Sequence, residues 1–320
     1  MLVSMLPQCI LTFSGTGDIV HLPMSNTFTE ELRSNPASFL ETTIKQFVTS
    51  SKNNCLPAFN NDAIFDEPLV GFADGDDPIF QEYKKPGIIG EFHLTPREIL
   101  EKTIKEEKKP KSISVISFIL PITLATRLSL RRETRVVSLR WNHTRWLGQD
   151  LINELSQHVV SLLENKGYHA IAPELSPLFE RKDQDGIPIS NWSQRHVAFA
   201  AGLGTFSLSD GFITPRGIAM RCGSVVCDLK IPPTARPYNN HLANCLSFRG
   251  KACRRCIDRC PGNAISELGH DKKRCRNYLF EQAEIVKAMG QADQYMGRYL
   301  GCGLCQTKVP CEACIPPLQE

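Results

Sequence analysis

Cys253-Arg-Arg-Cys256-Ile-Asp-Arg-Cys260-Pro261 is the stretch on which the fold of this chain turns. Its spacing, C-x2-C-x3-C-P, is three-quarters of the bacterial run C-x2-C-x2-C-x3-C-P that wraps an iron–sulfur cubane. The first cysteine of a full run would fall on Gly250, and Cys245 is the nearest substitute. Closely spaced thiolates suit a cubane because each reaches a different iron corner. The proline bends the chain away after the last ligand.

Working outward, Cys275, Cys302-Gly-Leu-Cys305, Cys311 and Cys314 follow. In two-cluster ferredoxins the cysteine before the proline serves the other cluster. That crossing gives Cys245, Cys253, Cys256 and Cys311 to one [4Fe-4S] cluster and Cys260, Cys275, Cys302 and Cys305 to a second. Cys314 is a spare, or an alternative to Cys311. Asn263-Ala264-Ile265 reads as the small-residue helix start that follows ferredoxin ligands. Two four-cysteine zinc sites are the competing reading, because C-x2-C pairs also build zinc ribbons. The C-x3-C-P segment and the crossed use of eight cysteines favour clusters.

The wider chain supports a cytoplasmic protein. Of 13 cysteines, only Cys9, Cys55, Cys222 and Cys227 lie before Cys245. A secreted disulfide scaffold would be short and cysteine-dense throughout. Met1–Val20 lacks a basic leader, and the longest apolar stretch, Ile113–Ile122, is too short for a membrane span and contains Ser114, Ser117 and Pro121. With 320 residues, 42% hydrophobic and 22% charged, the chain has room for about two domains at roughly 150 residues each. A net charge of +3 is too mild to specify nucleic acid or membrane. The cysteine region is locally basic, through Arg249, Lys251, Arg254, Arg255, Arg259, Lys272, Lys273, Arg274 and Arg276. These cations either compensate thiolate-bound clusters or, in a zinc-stabilised module, contact RNA.

Before the cysteines, Thr95-Pro96-Arg97-Glu98 has the form of a capping box opening a helix that runs to about Lys109. Ser112–Leu120 reads as a buried strand. Leu147, Leu151, Leu155, Val159 and Leu162 mark a helix over 145–166, stopped by Gly167, and Tyr168–Ala172 a short strand. Glu180–Asn191 reads as a loop, Trp192–Ala201 as a helix ended by Gly202-Leu203-Gly204, and Ile218–Leu229 as a strand. Alternating helices and strands predict an α/β (α+β) layer domain over 1–236, and Pro232, Pro233 and Pro237 mark the passage to a small ferredoxin-like two-cluster domain over 237–320. Cys222 and Cys227 are expected to be buried and inert. Trp141 and His143, beside Arg140 and Arg145, form either a structural cluster or a seat for an anionic group.

Arg195-His-Val-Ala-Phe-Ala-Ala-Gly202-Leu203-Gly204-Thr205, the strand around Cys222-Gly223-Ser224 and the cluster cysteines together resemble the epoxyqueuosine reductase and reductive dehalogenase family of cobalamin-dependent iron–sulfur reductases. The closest likeness is to its shorter, ferredoxin-like branch, and it covers about residues 190–315. The resemblance implies an oxidoreductase in which two [4Fe-4S] clusters pass electrons to cobalamin held by the α/β domain. It further implies an electron donor such as ferredoxin or flavodoxin, and an RNA or small-molecule substrate. Arg195, His196, Gly202, Leu203, Gly204, Thr205 and Ser209 would then line the corrinoid site, since a loop without Cβ atoms can approach a flat macrocycle. A ferredoxin-like electron carrier without cobalamin is the alternative. Epoxyqueuosine reductase has an aspartate general acid upstream of this loop. The matching stretch here, Pro188-Ile189-Ser190, has no acid, which leaves Asp185 as the expected proton donor, in competition with a plain Asp185-Gly186 turn.

Overall fold

The computed structural model describes residues 26–104, 109–238, 240–297 and 299–318. Met1–Val20, Cys9 and the stretch 105–108 of the expected helix to Lys109 lie outside the described residues.

In chain order the helices α1 (Asn26–Ser34) and α2 (Pro36–Ser50) lead to strand β1 (Leu69–Asp74), followed by α3 (Ile79–Glu82) and α4 (Pro96–Glu101). Strand β2 (Ser114–Pro121), α5 (Leu124–Arg131) and the long α6 (Leu139–Glu164) come next, then the two-residue strand β3 (Ala170–Ile171). A hairpin of β4 (Arg181–Gln184) and β5 (Ile187–Ser190) precedes α7 (Gln194–Ala200). The small pair β6 (Thr205–Phe206) and β7 (Phe212–Ile213) leads to β8 (Met220–Cys227). The cysteine region adds α8 (Arg255–Asp258), β9 (Ile265–Ser266), β10 (Gly269–His270) and α9 (Lys272–Ala288).

The central sheet has the order β1-β2-β8-β3. Each of its pairings is antiparallel, so the chain is a mixed α/β protein without parallel strand pairs in this sheet. β2 is buried along its whole length because helices cover both faces. Its alternation divides the core: Ile116, Phe118 and Leu120 pack toward α2 and α6, whereas Val115 and Ile119 pack toward α4 and α7. Each such side chain contributes roughly 1.5–3 kcal/mol of burial. Val286, Leu300 and Leu304, from the cysteine-rich end, join the α2–α6 side of this core.

The capping box forms as expected: the Thr95 side chain accepts from Glu98 N, and the Glu98 carboxylate accepts from Thr95 N. The helix it opens ends at Glu101 and does not run to Lys109. α6 begins earlier than its leucine repeat indicates, at Leu139, with Ser138 as N-cap. Its first turns bury Trp141, Asn142 and Thr144 instead of leucines, because they face the cysteine-bearing C-terminal segment. Glu180–Asn191 is not a loop but contains the β4–β5 hairpin. Both of its turn residues, Asp185 (φ 53°) and Gly186 (φ 84°), adopt the left-handed conformation of a tight hairpin turn. The Asn263-Ala264-Ile265 segment does not start a helix: Asn263 sits at φ 49° and Ile265 opens the short β9–β10 hairpin. Among the described residues no helix is long and apolar enough to cross a membrane.

Candidate functional site

The eight cysteines fall into two neighbourhoods. Cys245, Cys253, Cys256 and Cys311 line one tight cavity of about 20 Å³, closed by Ile213 and Val309. Burial, reinforced by Cys245 and Cys253, pushes the Cys256 thiol up to about 11. Burial and the same neighbours, with Cys256, push Cys311 higher still. Cys314 is exposed.

Cys275, Cys302 and Cys305 line a second cavity of about 450 Å³. Burial raises Cys275 to about 11, with Cys302 and Cys260 adding to it. Cys305 is raised well above the usual thiol value by burial and by Cys302, Cys275 and Cys260, with a smaller effect from Cys256 of the first group. Thiols crowded in this way are costly to ionise alone, and a bound cation reverses that cost.

Local structure presents donors to these sulfurs. Ala264 N lies 3.3 Å from Cys260 Sγ. The backbone N–H groups of Leu304 and Gly303, and the side chain of Gln282, favour the thiolate of Cys302. Gln282 is fully buried; its Oε1 accepts from Val137 N at 2.9 Å, and its Nε2 has no nitrogen or oxygen partner. An orphaned amide beside a thiol fits a sulfur that carries charge, so this donor set suits cluster ligation.

The Cys302–Cys305 turn is pinned from two sides. Trp141 Nε1 donates to Cys302 O at 3.0 Å, and Asn142 Nδ2 donates to Met296 O and Leu300 O. The Arg259 guanidinium donates to the carbonyls of Leu304, Thr307, Glu133 and Leu130. Arg259 is therefore a brace, not part of a free basic face. Arg254 is paired with Glu267, Arg274 with Asp271, and Arg276 with Asp183. Trp141 and His143 are likewise structural, with His143 Nε2 2.9 Å from Gln294 O.

A further cavity of about 340 Å³ adjoins the Cys302 cavity and shares Arg145, Arg195, Gly211, Met220, Arg221 and Gln306 with it. Together they form one cleft between α6, α7, β8 and the cysteine region. Glu174 lines this cleft, and the sequence reading missed it. Burial raises its carboxyl above the usual glutamate range, opposed by a hydrogen bond from Gln194 and by Arg181, Arg221 and Arg145. A chain of donors fixes Gln194: Trp192 Nε1 donates to Ser224 Oγ (3.0 Å), which donates to Gln194 Oε1 (2.7 Å). The available signal was Glu174 on the turn directly after the predicted strand that Pro173 ends.

Among the predicted site residues, Arg195 and Ser209 reach the cleft. Gly202, Leu203, Gly204 and Thr205 pack into the interior instead. Gly202 (φ 72°) lies against the Ala235 backbone, and Gly204 against Ile213 O, so both glycines serve close internal packing. Leu203 is buried on Gly71, and Thr205 Oγ1 accepts from Asn244 N. His196 faces a neighbouring cavity; its Nδ1 is 2.8 Å from Ser193 Oγ, and burial lowers its pKa to about 3. Asp185 is exposed at the hairpin tip, where it makes the turn, and does not line the cleft. Cys227 is buried, whereas Cys222 lines the cleft, its thiol raised to about 11 by burial.

No family model matches the sequence. Over 203 residues the chain is 28% identical to epoxyqueuosine reductase of Bacillus cereus, a match that takes in 62% of this chain and 48% of that one. The Bacillus anthracis epoxyqueuosine reductase matches to the same extent. The chain thus spans about half the length of these curated relatives. Among solved structures, epoxyqueuosine reductase with an epoxyqueuosine-modified tRNA-Tyr stem loop aligns at TM-score 0.41 and 16% identity, covering 85% of this chain and 66% of that one. A catabolic reductive dehalogenase in complex with 3-bromo-4-hydroxybenzoic acid aligns at TM-score 0.46 and 14% identity, covering 92% and 38%. The resemblance read from the cysteines and the Gly-Leu-Gly segment is supported at the level of sequence: this chain is similar to epoxyqueuosine reductase.

Proposed function

We propose that the protein is an iron–sulfur reductase that takes electrons from a carrier such as ferredoxin or flavodoxin and delivers them to a substrate in the Glu174 cleft. The observation that carries this reading is the grouping of the cysteines, with Cys275, Cys302 and Cys305 opening on the same cleft as Glu174. Cys245, Cys253, Cys256 and Cys311 would hold one [4Fe-4S] cluster, and Cys260, Cys275, Cys302 and Cys305 the other, in a ferredoxin-like module over 237–320. A zinc ion needs its sulfurs about 2.3 Å away, whereas a cubane spreads its cysteines over different irons.

The reading includes a corrinoid in the cleft, with Arg195, Ser209, Gly211 and Met220 among the residues that would hold it. When bound, a corrinoid supplies reductive chemistry at cobalt. This chain supplies the proton. Glu174, whose carboxyl burial raises above the usual glutamate range, would donate at the substrate's reacting atom, with Gln194 orienting it. The interior packing of Gly202 and Gly204 favours a second reading, an electron-transfer protein without corrinoid.

Anaerobic purification and a cob(II)alamin titration decide between them. The expected result is about eight irons per chain, as two cubanes require, and a spectral shift of cob(II)alamin to its base-off form. Eight irons with no corrinoid binding at micromolar concentration would leave the electron carrier. Stoichiometric zinc without iron or sulfide would overturn both.

A further inference from the structure

The cleft carries more positive charge than a proton donor or an electron path requires. Arg145, Arg181, Arg195 and Arg221 line its ≈ 340 Å³ part, and Glu174 is the one carboxyl among its lining residues. Among the described residues no carboxylate lies within salt-bridge distance of Arg145, Arg195 or Arg221. Arg145 meets Tyr299 Oη at 3.3 Å and lies beside the Trp146 and Tyr299 rings. Arg195 donates to Asp210 O.

Arg221 is the most informative. One arm of its fork is spent on Gln149 Oε1, and Gln149 is itself held by its Nε2 donating to Asn153 Oδ1 at 3.0 Å. Its Nε is buried and makes no hydrogen bond. Burial, and then the like charge of Arg145, lower its pKa to about 10. A buried guanidinium with an idle donor and a cationic neighbour is unfavourable in isolation. An oxyanion between the two forks removes both costs, because carboxylate and phosphate match guanidinium geometry bidentately.

We propose that Arg145 and Arg221 form an oxyanion subsite, and that the molecule reduced in this cleft is a small organic anion bearing a carboxylate or phosphate group. Gln149 is a positioning residue that aims the Arg221 fork. The assignment of the anion to a substrate rests on the reductase reading; the subsite itself does not. The subsite shares the cleft with Glu174, so an anion seated on it would bring the rest of a small molecule toward the proton donor.

The test is a titration of the purified chain, without corrinoid, with phenylacetate and with phenyl phosphate, using neutral phenylacetamide as the control and constant chloride. Saturable binding of at least one anion, and none of the amide, is expected. Arg221→Gln should weaken it about ten- to hundredfold, and Arg221→Lys should restore only part of the loss, since a point charge lacks the fork. Lys182→Gln, a cation outside the cleft, should bind as the parent does. Without ligand, Arg221→Gln should melt no lower than the parent, which a structural arginine would not allow. Equal binding by Arg221→Gln and parent, or equal binding of the amide, would overturn the subsite. Weakened binding of cobalamin but not of cobinamide by Arg221→Gln would assign the arginines to the corrinoid's phosphodiester and overturn the substrate assignment. So would displacement of phenyl phosphate by an RNA stem loop but not by phenylacetate.

Discussion

The group around Cys245 and the group around Cys302 face different surroundings. The first lines a small cavity of about 20 Å³ together with Ile213 and Val309. Its outer side, at Cys253, meets a surface hollow bordered by Lys251, Arg254, Arg255 and Pro316. The second opens inward on a cavity of about 450 Å³ that it shares with Arg145, Arg221 and Tyr299. A pair of redox centres with one at the surface and one at a reaction cavity would suit directional transfer, and Cys256 of the first group, which helps raise the Cys305 thiol, marks where the groups approach. On the proposed reading, the difference would make the first group the point of electron entry and the second the point of delivery.

The largest expected effect breaks that division. Cys305→Ser should remove about four of the eight irons and abolish reduction in the cleft, while the other cluster keeps its spectrum. Cys245→Ser should remove the complementary four. It should slow reduction by an external carrier, yet leave the remaining cluster reducible by a small chemical reductant. Cys314→Ser should keep all eight. Iron analysis and electron paramagnetic resonance separate the outcomes. Loss of all iron from either single variant would show one mixed site and end the comparison.

Next in size is Glu174→Gln, which tests whether the inner group serves chemistry. Turnover should fall about 10²–10⁴-fold with iron content unchanged. The sign of the pH effect follows from burial. The folded carboxyl binds its proton more tightly than the unfolded one, so its contribution to stability is complete below the unfolded value of about 4.3 and is lost as pH rises through the folded value. Arg145 on α6, Arg181 on β4 and Arg221 on β8 oppose that shift, and Gln194 on α7 hydrogen-bonds the carboxyl. Melting temperatures measured from pH 4 upward should therefore fall in the parent relative to Glu174→Gln. Parallel curves would mean that the carboxyl titrates as a free one.

Much of this arrangement is legible in the sequence because it depends on spacing. The two cysteine groups, the Thr95 cap, the buried β2 and the β8 strand follow from ligand intervals and apolar periodicity. The cleft does not, because its residues come from separate elements and carry no period: Arg145 from α6, Glu174 from the turn after β3, Arg221 from β8. The Gly202-Leu203-Gly204 segment matches a family pattern, yet Gly202 is set by the nearby Ala235 backbone and Gly204 by Ile213. The β4–β5 hairpin was hidden because β4 is exposed throughout, so no alternation of burial marks it. The early start of α6 was hidden because Trp141 and Asn142 are buried against a segment some 155 residues later, as the bonds to Met296 and Leu300 record.

Gly303→Ala sharpens the comparison at the level of packing. A Cβ at Gly303 would lie 2.3 Å from Cε2 of Trp141, an atom of a rigid ring that also holds Cys302 O. Overpacking of this kind costs about 1–3 kcal/mol. The strain falls between Cys302 and Cys305, so the second cluster should be lost first on warming, with the first cluster's signal persisting. Gly250→Ala is the counterpart beside the first group. Its site is open, with no atom within 4 Å of the added Cβ, but φ is 75°. Its cost is backbone strain alone, about 1 kcal/mol, and should leave the second cluster untouched.

The smallest effect belongs to Asp185→Asn, and it separates the two acids considered as proton donors. Asp185 occupies the first of two left-handed positions in the β4–β5 turn, at φ 53°, followed by Gly186 at φ 84°. Asparagine tolerates that conformation at least as well as aspartate, and Asn-Gly is a favoured pair for such a turn. The Asp183 carboxylate, not that of Asp185, accepts from Gly186 N and pairs with Arg276, so the hairpin's side-chain bonds survive the change. Stability should shift by less than about 0.5 kcal/mol, and turnover and its pH profile should match the parent. A drop in turnover comparable to that of Glu174→Gln would place the hairpin tip over the cleft during reaction and return the proton to Asp185. An unchanged profile would keep Glu174, on the same cleft as the inner cysteines, as the proposed proton donor.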